Sequence, residues 1–359
     1  TSILNSFIDV KKIMGKILVT GGLGFIGSNL INLLLKRNYK VLNIDKVTYA
    51  SNFYNVKNFD KHKNYKFIKC DLNNQKKLGI ILSKYKPDGI FNLAAETHVD
   101  RSIDGPKNFI TSNILGVFNL LEAIRYTKKK NVKTKLIHVS TDEVYGDIKN
   151  NKRSSEGFPY KPSSPYSASK ASADHLIQAY IRTYKIDAVI SKCCNNYGPF
   201  QFPEKLIPLM IINALNNKSL PIYGNGENIR DWIHVYDHCD AIIDIIEKGK
   251  VGEKYNIGGD CELQNIHIVN EICKILDTFK PRENSISYSE LIRFVEDRPG
   301  HDYRYAVDFN KINSSLGWYP KIDFQFGIKE TVKWYIENYS WWKNIINNKY
   351  KLERLGKSK

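Results

Sequence analysis

The chain holds a hydroxyl-rich pair and two adjacent carboxylates in Ser140-Thr141-Asp142-Glu143, then a phenol and an amine in Tyr166 and Lys170. These are the groups that two proton transfers and a loss of water require. Tyr166 and Lys170 stand four apart, so on a helix they share one face. An ammonium beside a phenol favours the phenolate and makes a tyrosine a usable base near neutrality. Adjacent carboxylates divide acid and base roles when repulsion and burial raise one of them. Upstream, Thr20-Gly21-Gly22-Leu23-Gly24-Phe25-Ile26-Gly27 has the form of a dinucleotide-binding turn, which adds a hydride carrier to the acid and base groups. Together they predict an oxidation, an elimination and a reduction in one site.

The elements around these residues predict how they are positioned. Short apolar runs at 17–19, 41–44, 65–68, 89–93 and 136–139 alternate with helical patterns, the first over 26–37. Such β-α alternation predicts an α/β fold, a Rossmann-type doubly wound parallel sheet covered by helices on both faces. Gly21 and Gly24 permit a tight turn and close approach to a pyrophosphate, Gly27 lets helix and strand pack, and the helix N-terminus faces the phosphates. Asp45, ending the second strand, accepts from the adenosine ribose and repels a 2′-phosphate, which predicts NAD; Lys46 beside it softens that repulsion. Asp71 follows the next strand and either meets the adenine end or caps a helix.

After Asn195 the pattern changes to Pro-bearing loops, a helix over 207–215 and a short strand at 221–223. The expected organisation is an N-terminal extension (1–13), an NAD-binding domain (14–194) with segments near 229–258 returning to its sheet, a smaller α/β substrate-binding domain (195–228 and 259–350), and a basic tail (351–359).

A chain of 359 residues, 42% hydrophobic, can bury well-formed cores. Its net charge of +17 raises the question of a polyanion partner. Lysine is scattered together with Asn and Ile along the whole sequence, with no aromatic-interleaved basic stripe, so solvated lysines are the simpler account and no nucleic-acid partner is expected. The six cysteines show neither metal-ligand spacing nor a disulfide framework, and no apolar run spans a bilayer. Reduced thiols, no metal, no membrane partner and a cytoplasmic location are the expectation.

The string Ser140 to Gly146 resembles the signature of the nucleotide-diphosphate-glucose 4,6-dehydratases, within the extended short-chain dehydrogenase/reductase superfamily. The resemblance continues through Asp45 to Ala50, Asn92 to Asp100, Pro162 to Lys170, Asn195 to Pro199, Phe202 to Pro208, Arg230-Asp231-Trp232 and Asp297 to Asp302. It implies that Tyr166 takes the sugar 4-hydroxyl proton with Thr141 bonded to the same hydroxyl, that Lys170 holds the nicotinamide ribose, that Glu143 removes the C5 proton, and that Asp142 protonates the departing C6 hydroxyl. It also implies NAD contacts from Gly21, Gly24, Phe25, Ile26, Gly27, Asp45, Lys46, Asp71, Leu72, Ala94 and Ala95. Substrate contacts would come from Thr97, Asn196, Glu204, Lys205, Asn225, Arg230 and Arg298, the arginines meeting the diphosphate. The substrate implied is a dTDP- or UDP-glucose, the product a 4-keto-6-deoxy sugar on the way to rhamnose or another 6-deoxysugar, and the assembly a homodimer built through two helices. Ser51 departs from the family pattern, where glycine is usual, as does Cys193-Cys194. Competing outcomes are a 4-epimerase or decarboxylase, which lack the Asp-Glu pair at this place, and a non-enzymatic NAD-binding protein.

Overall fold

The computed structural model describes residues 15–149, 152–283, 285–350 and 352. The extension expected over 1–13 and all of the basic tail except residue 352 lie outside these described residues. Six parallel strands come first: β1 (Lys16–Thr20), β2 (Lys40–Asp45), β3 (Tyr65–Lys69), β4 (Gly89–Asn92), β5 (Lys135–Thr141) and β6 (Ala188–Cys193). They are followed by β7 (Asn195–Tyr197), β8 (Leu220–Tyr223), β9 (Ile229–His234), β10 (Lys254–Ile257), β11 (Glu262–Gln264) and β12 (Ile292–Val295). The main sheet has seven strands in the order β10-β6-β5-β4-β1-β2-β3. Its order reverses between β1 and β4, so the C-terminal strand ends open a crevice there, the position at which ligands bind in such sheets.

Both faces are apolar, as a sheet buried on both sides must be. Ile17, Val19, Ile137 and Val139 pack with the helices Phe25–Lys36 and Val235–Lys248. Leu18, Ile90, Leu136 and Ile190 pack on the other face with the helices Gln75–Tyr85, Gly116–Lys128 and Pro165–Tyr184. A separate core joins the helices Leu206–Leu215, Asn265–Phe279, Phe324–Glu337 and Tyr339–Asn348.

The segment 229–258 divides. β10 pairs with β6 in the main sheet, but β9 does not enter it; β9 lies between β7 and β11 in a small sheet. The reason is one of available edges: β10 occupies the outer edge of β6, and every buried strand must pair its backbone groups somewhere. The last helix folds back over the cofactor side of the molecule. Its Trp341 donates to Asn55, Lys349 donates to the Ser51 carbonyl, and Tyr350 packs on Phe202.

Candidate active site

The glycine turn leaves β1 at Thr20 and enters the helix at Phe25. Gly21 has φ +72°, and a Cβ there would lie 2.9 Å from the backbone of Ala94; one on Gly27 would lie 2.4 Å from the Gly21 carbonyl. Both neighbours are backbone and cannot yield, so neither position admits a side chain. No side chain caps the helix that follows, which leaves its first N–H groups for an anion. The Asp45 carboxylate is fixed by three donors, Leu23 N (3.1 Å), Val47 N (2.7 Å) and Ser51 Oγ (2.8 Å). Val47 is held at φ +64°, a strained setting for a β-branched residue. A glycine cradle, an uncapped helix end and a fixed carboxylate form the donor and acceptor set that an NAD pyrophosphate and ribose need.

Lys46 reaches away from Asp45, to Glu96 (3.2 Å) and Ser112 (2.7 Å), so its charge is engaged elsewhere. Phe25, Ile26, Asp71, Leu72, Ala94 and Ala95 line the same cleft. Asp71 turns its carboxylate to Asn73, and Asn74 caps the following helix; the cap alternative for Asp71 is therefore not the arrangement seen.

At the adjoining end of the cleft, β5 stops at Thr141, whose hydroxyl caps the short turn Asp142–Tyr145 by accepting from Glu143 N. Helix Pro165–Tyr184 starts from a capping box between Ser164 and Ser167, which places Tyr166 in its first turn and Lys170 one turn later. Thr141, Asp142, Glu143, Tyr166 and Lys170 all line the cleft. Asp142 is held well above the usual carboxyl range by burial, with Glu143 and Asp231 adding repulsion, and one of its buried oxygens has no hydrogen-bond partner. Glu143 is raised by burial too, but Arg298, Lys205 and Arg230 draw it back. The two neighbours are thus driven apart in acidity.

The expectation for Tyr166 needs amendment. Burial and then the Glu143 charge push its phenol up, and Thr141 is the group that opposes this by hydrogen bonding. The Lys170 ammonium is pushed down to about 8 by burial and donates to the Val139 carbonyl at 2.7 Å rather than to the phenol. The charges of two carboxylates, Glu143 and Asp142, push the phenol up, which runs against the balance expected from helical spacing alone.

The expected substrate residues fall into two groups. Thr97, Asn196, Glu204 and Lys205 line the cleft. Lys205 donates to the Thr97 carbonyl, Asn196 pairs with His238, and Glu204 receives Arg101 at 2.7 Å and Tyr49 at 3.1 Å. Arg230, Arg298 and Asn225 are not brought to the lining. Arg230 spends its guanidinium on the carbonyls of Ile229, Asp302 and Tyr303, and Arg298 pairs with Asp100 at 2.9 Å. Their charges still act on Glu143. Asn225 is exposed and bonds Glu227 in its own turn.

Sequence reading marked Ser51 only as a departure from the family pattern and missed that its hydroxyl holds Asp45; its position six residues after that carboxylate, in a loop, carries no periodic signal. It also passed over Asp100, the Arg298 partner, and over Asp174, one helical turn beyond Lys170 on the same face, a spacing that was visible.

Comparison with known proteins adds an independent line. The family described as GDP-mannose 4,6 dehydratase matches residues 18–331. The dTDP-glucose 4,6-dehydratase of Neisseria meningitidis serogroup B is 48% identical over 355 residues, covering 96% of this chain and all of that one. The crystal structure of dTDP-glucose 4,6-dehydratase from Bacillus anthracis in complex with NAD superposes with a TM-score of 0.82 at 44% identity, over 93% of this chain and all of that chain. The UDP-glucose 4-epimerase of Thermotoga maritima also superposes, with a TM-score of 0.81 at 27% identity, over 90% of this chain and 99% of that chain. The two reactions therefore share a scaffold and must differ at the site.

Proposed function

The chain belongs to the GDP-mannose 4,6 dehydratase family and is an NAD-dependent nucleotide-sugar 4,6-dehydratase, and from that premise we propose that its substrate is dTDP-glucose. The relatives' described activity supports this base over uracil. The observation that carries the assignment of roles is the Asp142-Glu143 pair: one buried carboxyl kept in its acid form with an oxygen unpartnered, beside one kept nearer ionisation by three cations.

In this reading Tyr166 and Thr141 receive the 4-hydroxyl, and Tyr166, as the phenolate that against burial and the Glu143 charge its hydrogen bond to Thr141 favours, takes its proton as C4 is oxidised. Bound NAD supplies the hydride acceptor for C4 and the hydride donor for C6. Gly21, Gly24 and Gly27 with the uncapped helix end would hold its pyrophosphate, Asp45 its adenosine ribose and Lys170 its nicotinamide ribose. The C4 ketone acidifies the C5 hydrogen, which Glu143 removes. Asp142 gives its proton to the C6 hydroxyl, the C6–O bond breaks and water leaves. Glu143 then returns its proton to C5 as C6 is reduced; Tyr166 releases the proton it took from the 4-hydroxyl and Asp142 takes one up in place of the one it gave to the leaving water, so the only net change is the loss of one water.

Thr97, Asn196 and Lys205 are proposed to meet the diphosphate-sugar, with Arg230 and Arg298 setting the charge around Glu143. Residues 14–194 would form the NAD-binding unit, with 195–228 and 259–350 the substrate unit. The product, a 4-keto-6-deoxy sugar nucleotide, suits rhamnose or other 6-deoxysugar synthesis in the cytoplasm. Free thiols at all six cysteines accord with that compartment, and no described helix is long and apolar enough to cross a membrane. Homodimerisation is supported by exposed apolar side chains on the helices of 106–128 and 165–184, among them Ile110, Leu115, Phe118 and Tyr184.

Purified protein incubated separately with dTDP-glucose and UDP-glucose tests the function. Loss of one water from dTDP-glucose in preference to UDP-glucose is expected, read by mass and by the alkali-induced absorbance of the keto product. Inversion at C4 without water loss would overturn it.

A further inference from the structure

Beneath the cleft, the face of the sheet that meets helix Pro165–Tyr184 is apolar except for one row at its C-terminal end. Thr20 on β1 is in register with Asn92 on β4, Asn92 with His138 on β5, and two residues on, Ser140 of β5 with Lys192 of β6. All five are nearly inaccessible, Lys192 completely so. Buried polar groups cost stability unless partnered, and buried charges cost more. A row that follows the ladder register across four strands therefore needs a reason.

The bonds in the row have a direction. Ala94 N donates to Thr20 Oγ1 (3.0 Å), and Thr20 Oγ1 donates to Asn92 Oδ1 (2.7 Å). Asn92 must then present its amide nitrogen to His138 Nδ1 (3.0 Å), which fixes the histidine proton on Nε2. That nitrogen faces Asp174 Oδ1 at 3.7 Å, and both atoms are otherwise unpartnered. The other Asp174 oxygen accepts from Ser140 (3.0 Å) and Tyr160 (2.9 Å). Lys192 donates to the Tyr145 phenol at 2.9 Å and lies over the rings of Tyr145 and Tyr160. Lys170 precedes Asp174 by one turn on the same face of the helix, and both are buried.

We propose that Asp174 is a positioning residue of the reaction, the shared counter-ion of the buried Lys170 and Lys192, which keeps the Lys170 ammonium charged and in place beneath the cleft. The Ala94-Thr20-Asn92-His138 line runs from the loop lining the cofactor cleft to a histidine whose Nε2 faces that carboxylate at 3.7 Å, beyond hydrogen-bond reach. The charge count supports it. From β5, His138 is held neutral by burial; from β6 come Lys192 and the thiol Cys193, which burial keeps protonated. From the preceding loop and turn come Tyr160, Tyr145 and Glu156; from the cleft side comes Asp142, held as acid; from β10 and the helix Asn310–Leu316 come the cations Lys254 and Lys311; and Asp174 itself is raised by burial, with Lys192 and Lys170 drawing it back. Burial lowers both lysines to about 8, and Asp174 is the carboxylate that opposes this at both.

The inference rests on the dehydratase reading, so the unaltered holoenzyme must first turn over its sugar nucleotide; failure there would sink the reading itself. With that established, the pH profile of kcat/KM is compared for the wild type and Asp174→Asn. Loss of the counter-ion lets Lys170 give up its proton at lower pH, so the alkaline limb should move down by about one pH unit, roughly a tenfold loss on that side. Lys192→Met and the double variant Lys192→Met/Asp174→Asn repeat the comparison with one buried cation fewer. The same downward movement between that pair is expected. An unmoved limb in a folded variant overturns the proposal, and so does failure of both Asp174 variants to fold, which would make the carboxylate a folding requirement alone.

Discussion

At the scale of the residue, the division of labour between Asp142 and Glu143 is set by surroundings rather than by chemistry, since the two side chains are near equivalents. Asp142 is buried and repelled by two other carboxylates, Glu143 and Asp231, whereas Glu143 is answered by Arg298, Lys205 and Arg230. Asp142→Asn removes the proton given to the C6 hydroxyl, so turnover to the dehydrated sugar should fall about 10²–10⁴-fold while oxidation at C4 persists. Rapid-quench analysis should then find 4-keto-glucose nucleotide that has not lost water. The same substitution has a stability signature. A carboxyl raised on folding favours the protonated native state, and that contribution is present below the ordinary carboxyl pKa and lost as pH rises towards the folded value. Asp142→Asn should therefore melt at a higher temperature than the wild type at pH 7, and the advantage should vanish as pH is lowered into the ordinary carboxyl range.

At the scale of the element, one irregularity matters most. The helix that starts at Pro106 widens into a π turn over Ile110–Leu115 before resuming at Gly116. The extra residue presents Ser112 to Lys46 and Asn113 to the cleft loop, where Asn113 accepts from Glu96 N (2.9 Å) and donates to Glu96 O (2.9 Å) and Ser169 Oγ (2.9 Å). Asn113→Ala strands the partly buried N–H and C=O of Glu96, at a cost of about 1 kcal/mol. It should shed NAD during gel filtration while the catalytic groups remain in place, measured as cofactor retained per chain. None of this was legible in the sequence, because a π turn leaves no distinct periodicity in a segment as polar as Thr111-Ser112-Asn113. The regular elements were legible for the opposite reason. β1, β2, β4 and β5 are apolar runs buried on both sides, and the glycines at 21 and 27 mark contacts that no side chain permits. What the sequence could not convey was competition for edges, which sent β9 to a small sheet. Nor could it convey competition among charges, which turned Lys170 from Tyr166 and Arg230 inward to carbonyls.

At the scale of the whole molecule, two apolar cores are joined across a cleft, and large side chains such as Ile110, Leu115 and Phe118 remain on one outer flank. If that flank joins two copies, Phe118→Glu places a charge in the contact and should yield a monomer by light scattering, with its far-ultraviolet circular dichroism intact. The C-terminal helix spans the cores from the opposite direction. It grips, at Asn55 and the Ser51 carbonyl, the loop whose Ser51 hydroxyl steadies Asp45. Docking of that helix and occupancy of the ribose site are then two ligations of one loop, and by reciprocity each must strengthen the other by the same factor. Added NAD should slow amide hydrogen exchange in the helix Tyr339–Asn348, and a chain truncated before Tyr339 should bind NAD more weakly in proportion. A helix nearly three hundred residues on from Asp45 would thus serve as a gauge of whether the cofactor is seated.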